Sequence, residues 1–198
     1  MTVEYLEGSH TYVVQGKIVL SVTQILSTIF PNKYKGIPEY ILKNKSQYGT
    51  KIHEAIELYE INRKVMTHDE AYTIAIMDLD YIQDSSFNQY LRLKKEHQIE
   101  IIDQEQIIHY KDIYAGRYDM SAKVNGEYSL IDIKTTAELD IEYCKYQLNL
   151  YRFAHKDKKK IKKLYIIWLA KRDIGKLVEV EIMSDNEVND ILRKCDLI

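Results

Sequence analysis

Apolar positions along the chain change period several times, and each change marks an element. Thr11–Val14 and Lys17–Leu20 alternate around Gln15-Gly16 and predict a small β-hairpin. Ser21 and Gln24 then form an S-x-x-Q capping box, and Val22, Ile25, Leu26 and Ile29 make one helical stripe that Pro31 ends. A short helical piece from about Pro38 follows, Gly49-Thr50 opens a stronger helix to about Arg63, and helical spacing recurs over 68–83 and 86–97. From 98 to 134 the period shortens to two. Asp140 is placed to cap a helix reaching about His155, strands at 162–170 and 176–182 join near Ile174-Gly175, and Ser184 caps a last helix. The expected fold is a single α/β (α+β) domain over 1–198, with a helical block at about 21–97 and a mixed sheet with one helix at about 98–182.

One hairpin departs from the usual strand chemistry. In GRYDMSAKVNGEYSLIDIK, residues 116–134, Asn125-Gly126 is a type I′ turn signal. It pairs Val124 with Glu127, and counting outward sets Asp119 opposite Asp132. Like charges so placed destabilise a sheet, and Asp is depleted in strands. A cation between the carboxylates reverses that repulsion, and loss of either carboxylate is expected to stabilise the metal-free fold. Tyr118, Met120, Ala122, Val124, Ile131 and Ile133 share the apolar face. Arg117, Asp119, Ser121, Asp132 and Lys134 share the other, expected to be open.

Composition narrows the setting. A chain of 198 residues is long enough to bury about 70% of its unfolded surface. A net charge of −2 excludes a globally basic coat, although Lys156, Lys158 to Lys160, Lys162 and Lys163 cluster in either a solvated loop or a local phosphate-binding surface. Two cysteines, Cys144 and Cys195, exclude a disulfide framework and a four-cysteine metal site. Without an apolar leader or a membrane-length apolar stretch, the expected location is the cytoplasm, with no membrane partner. His10, His68, His97, His109 and His155 have no ligand spacing, and Trp168 reads as core.

GRYD, then IDIKTT, then QLNLYRF on the next helix, resembles the PD-(D/E)XK nuclease superfamily, and its RecB-like exonuclease branch in particular. GTKIHEAIE at 49–57 matches that branch's upstream G-x-x-x-H helix, and HTYVVQGKIVLSVTQIL at 10–26 resembles the entry of phage-type members. The superfamily's proline is missing. The resemblance implies a restriction-endonuclease-like core and a divalent metal held by Asp119, Asp132, the Ile133 carbonyl and His53. It implies that Lys134 acts on water and phosphate, that Gln147 and Tyr151 shape the site and contact nucleic acid, and that Glu105 stands where relatives often carry a glutamate. Mg²⁺ or Mn²⁺ suits these ligands; an iron–sulfur cluster does not.

Tyr143 shares a helix face with Gln147 and Tyr151, and this stripe is expected to stack or hydrogen-bond nucleotides. Glu57, one turn after His53, is either its hydrogen-bond acceptor or plainly solvated. The implied activity is a DNA exonuclease needing a free end, in phage-type recombination, repair or end processing, hence in the host cytoplasm if phage-encoded. A structure-specific endonuclease and a non-catalytic DNA-binding subunit are the alternatives. No phosphate-binding G-x-x-x-x-G-K-[ST] loop is present, so unwinding would fall to a helicase partner, and a recombinase is the other expected partner.

Overall fold

A computed structural model describes residues 2–9, 11–171 and 174–198; His10 lies outside them. Among the described residues, eight strands and six α-helices follow in order: β1 (Val3–Leu6), β2 (Thr11–Val14), β3 (Lys17–Ser21), α1 (Val22–Ile29), α2 (Glu39–Asn62), α3 (His68–Ile76) and α4 (Tyr81–Glu96). Then come β4 (Glu100–Tyr110), β5 (Tyr114–Val124), β6 (Glu127–Lys134), α5 (Ile141–Ala154), β7 (Lys163–Trp168), β8 (Lys176–Val180) and α6 (Asp185–Lys194). The result is a mixed α/β fold with a central mixed sheet flanked by helices. Among the described residues, no helix is long and apolar enough to cross a membrane.

The local signals act as their chemistry requires. Ser21 caps α1 with Gln24 completing the box, Asp140 accepts from the Tyr143 N–H at the head of α5, and Ser184 with Glu187 caps α6. Two boundaries differ from the sequence reading. Residues 39–62 form one helix that runs straight through Gly49-Thr50. The pattern at 68–97 breaks at 77–80, where Asp80 and Gln83 build a capping box that reading had passed over. That box satisfies first-turn N–H groups and so favours a new helix start at Tyr81. β1 is a further strand, seated on β2.

Two apolar layers sandwich the sheet. Met120, Ala122, Val124, Ile131, Ile133 and Ile167 pack against α2, α3 and α4. Tyr118, Leu130, Leu164 and Ile166 pack with α1, α5 and α6 on the opposite side. The helices of 21–97 are therefore not one block, because α1 crosses to the α5 side. Nor is the Asp-and-Lys face open, since α5 covers it. Tyr118 and Met120 also fall on opposite faces, so strict alternation fails between them, at Asp119. Trp168 is half-buried, and its Nε1 donates to the Thr136 carbonyl at 2.7 Å.

The reason for the failure is a fork in the sheet. One edge of β5 is occupied by β4 along most of its length. The other is shared: parallel β3 pairs at 114–115, and antiparallel β6 at 120–124. Residues 116–119 lie between these partners, with no ladder on that edge to hold the strand flat. Here β5 turns over, and α1 and α5 converge.

Candidate metal centre

The turn signal sets the hairpin register as expected, with Val124 opposite Glu127 and Ser121 opposite Leu130. Pairing ends at Met120 and Ile131, one position before the two aspartates would face each other. Instead the Asp119 carboxylate takes the ladder's place, with Oδ2 accepting the Ile133 N–H at 2.6 Å. Asp119 is thereby anchored to β6 while its carboxylate projects from the fork. Ile133 thus joins the site through its N–H.

Three elements meet there. His53 comes from the middle of α2, with Nδ1 3.7 Å from Asp119 Oδ2. Glu105 lies in β4 between Gln104, opposite Met120, and Gln106, opposite Tyr118, which brings it level with Asp119. Its backbone is left-handed, with φ at +49°. A glutamate rarely adopts that conformation, and it turns the side chain out of the strand's regular alternation. Ligand atoms of His53, Glu105 and Asp119 lie within 4.8 Å of one another, so this cluster could hold a metal ion.

Burial, then the Asp119 charge, pushes the Glu105 carboxyl up to about 7, against the pull of Arg117. Glu57 adds to that field, but among the described residues it makes no hydrogen bond to His53. A carboxylate pair with an imidazole is a donor set suited to Mn²⁺ or Mg²⁺.

Asp132 and Lys134 stand beside this group, on the α5 side. Asp132 is only 1% exposed, and its Oδ2 has no hydrogen-bond partner among the described residues. The Lys134 ammonium nevertheless lies 2.6 Å from that oxygen as an ion pair. Burial and then Asp119 drive the Asp132 carboxyl up to about 6, although Lys134 opposes them. Burial pulls the Lys134 ammonium down, but Asp132 and Asp119 outweigh it and leave the group firmly protonated. A buried ion pair costs the desolvation of both groups, and a further cation near Asp132 would favour its charged form.

A polar chain fixes the lysine. Lys134 Nζ donates to Gln147 Oε1 at 3.0 Å, and Gln147 Nε2 donates to the Tyr151 hydroxyl at 3.1 Å. The Q-x-x-x-Y spacing puts both on one face of α5. Tyr151 is buried beneath Gly116: a Cβ there would lie 2.7 Å from Tyr151 Cε1 and 3.0 Å from Val22 Cγ2. The glycine of GRYD is what lets this ring and α1 enter the fork. Tyr143 is buried too, with Lys33 Nζ 4.0 Å from its ring centre and Phe30 at 5.5 Å. Neither tyrosine presents a face to a base, so the expected stacking stripe is the wall of the site. A cleft of about 270 Å³ reaches Lys134 and Gln147 between Thr23, Lys33, Tyr34 and Asp140.

The lysine run lies elsewhere. Lys163 pairs with Ser129, at the end of β6 away from Lys134, and Lys158, Lys160 and Lys163 are ion-paired with Asp185, Asp157 and Glu179. Sequence reading gave Arg117 no role, although it stands inside GRYD. Its Nε is 2.8 Å from Glu105 Oε2.

No protein-family model and no curated protein matches this chain. Among solved structures, the protein SSO0001 is similar over 93% of this chain and 76% of its own, with a TM-score of 0.43 and 16% identity. A candidate exonuclease from Eubacterium rectale is similar over 88% and 76%, with a TM-score of 0.44 and 10% identity. Likeness this slight says nothing about chemistry, which rests on the site itself.

Proposed function

We propose that the chain is a metal-dependent nuclease of the RecB-like PD-(D/E)XK type that hydrolyses DNA from a free end, in phage-type recombination, repair or end processing. The observation that supports it most is the convergence of His53, Glu105 and Asp119 within 4.8 Å, directly beside a buried Asp132–Lys134 pair. A purely structural site has little use for a protonated lysine and a carboxylate buried together beside a cluster of metal-ligating side chains.

A divalent cation held by His53, Glu105 and Asp119, with Asp132 alongside, would supply Lewis-acid polarisation of the phosphoryl group and ease deprotonation of water. The remaining work belongs to the chain. Lys134, kept cationic by Asp132 and Asp119, places a compact positive charge where a scissile phosphate gains negative charge. Gln147 holds the ammonium in one orientation, and Tyr151 holds Gln147. Because that relay is half-buried and anchored on the buried Tyr151, it needs little reorganisation as charge develops. Asp132 is pushed toward neutrality, a poise suited to accepting a proton from attacking water.

Incubation of linear, nicked and covalently closed circular DNA, single- and double-stranded, with Mg²⁺ and with Mn²⁺ tests the proposal. Metal-dependent loss of linear molecules is expected. Equal cleavage of closed circles would favour the endonuclease reading, and binding without cleavage the DNA-binding subunit.

A further inference from the structure

We infer that Arg117 is a positioning residue for the metal centre, holding the Glu105 carboxylate toward Asp119 and His53 from the side of the amino-terminal hairpin. This rests on the metal-centre reading above and gives a task to residues that reading does not use.

Arg117 lies opposite Ile107 across β4 and β5, so Glu105 is its diagonal neighbour, two positions along. Long side chains bridge that separation. The guanidinium makes two contacts with different parts of the fold: Nε reaches Glu105 Oε2 at 2.8 Å, and its carbon lies 5.6 Å from the Tyr5 ring centre. Tyr5 in turn packs tilted against Tyr12, its register partner across β1 and β2, with ring centres 4.8 Å apart. A planar cation held by both a ring face and a carboxylate is restricted in both tilt and rotation.

Glu105 needs such restraint. Its left-handed backbone takes the side chain out of the sheet's regular packing, and Arg117 is its only ion-pair partner among the described residues. Without that partner the carboxylate would sample several rotamers, and a metal would bear the cost of ordering it. Arg117 itself sits in the stretch of β5 left without a ladder on one edge. Its side-chain orientation is therefore set by Tyr5 and Glu105 as well as by its pairing with β4.

Mn²⁺ titration calorimetry on the full chain, with metal-free melting curves to verify folding, tests this. Arg117→Ala should weaken Mn²⁺ binding by roughly 10–100-fold, the usual effect of removing a group that orients a ligand. Arg117→Lys should recover part of the loss, since it keeps the charge but not the planar face. Tyr5→Leu should shift affinity in the same direction by less. In a Glu105→Gln background, Arg117→Ala should cause no further loss, because the group it orients is gone. Unchanged affinity in Arg117→Ala, or an equal loss in the Glu105→Gln background, would overturn the inference while leaving the metal centre intact. Absence of Mn²⁺ binding by the wild type would overturn both.

Discussion

Asp132 and Asp119 have the same chemistry and different surroundings, and single substitutions should separate them. Asp132 carries the counter-charge of a lysine that is only 21% exposed. Asp132→Ala strands that ammonium, and losing one member of a buried pair costs about 3–5 kcal/mol. The metal-free variant should melt below wild type, contrary to the stabilisation expected from two facing carboxylates. Asp119→Asn should abolish cleavage with a smaller effect on melting. Lys134→Ala should bind DNA and lose turnover; normal turnover at saturation would remove it from the chemistry. Acid titration offers a second check. Glu105 and Asp132 have raised folded pKa values, to about 7 and about 6, so the folded state keeps protons that the unfolded chain has released. Their contribution to stability is present below about pH 4 and is lost as pH rises toward 7, while Mn²⁺ affinity climbs over the upper part of that window. Glu105→Gln should flatten the decline in metal-free buffer, measured as melting temperature against pH. Parallel profiles for wild type and variant would show that Glu105 does not titrate there.

Among the elements, α1 and α5 meet the fork most closely, and small changes at their contacts should be felt at the site. Gly116→Ala drives a methyl against Tyr151 and Val22. Overpacking of this kind costs roughly 1–3 kcal/mol. Because Tyr151 holds Gln147, and Gln147 holds Lys134, the variant should lose turnover out of proportion to its stability. Kinetics well below its melting point would reveal this. Ser21→Ala removes the α1 cap and should lower stability by about 1 kcal/mol. Its effect on turnover should be smaller than that of Gly116→Ala, since Val22 only borders the ring.

At the scale of the whole molecule, the proposed nuclease function ties substrate choice to the depth of the site. The carboxylates lie in a fork of the sheet with helices on both faces; Asp132 is 1% exposed, and Asp119 and His53 side chains are 16% and 30% exposed. The cleft beside Lys134, at about 270 Å³, falls near the lower end of small-molecule sites. On the proposed function, such a recess would admit a strand end more readily than the side of a continuous duplex. Linear DNA should be degraded much faster than covalently closed circles of the same sequence. Comparable initial rates would mean that duplex reaches the carboxylates from the side.

Local grammar in the chain was enough to determine the Asn125-Gly126 register and the caps at Ser21, Asp140 and Ser184, and to single out Asp119, Asp132 and Lys134, because each depends on near neighbours or fixed spacing; His53, Glu105, Gln147 and Tyr151 entered as candidates through the family resemblance. Tertiary structure alone decided what those residues face. Whether β5 stays flat depends on β3 and β6 sharing one edge, a pairing between segments about 90 residues apart. That fork moved Asp119 from Asp132 toward His53 and Glu105 and turned Tyr118 away from Met120. Burial of Tyr143 and Tyr151 likewise came from α5 closing on a face that period-two alternation reads as open. The alternation of one strand records its two faces, but the number of layers covering them is a property of the assembled sheet.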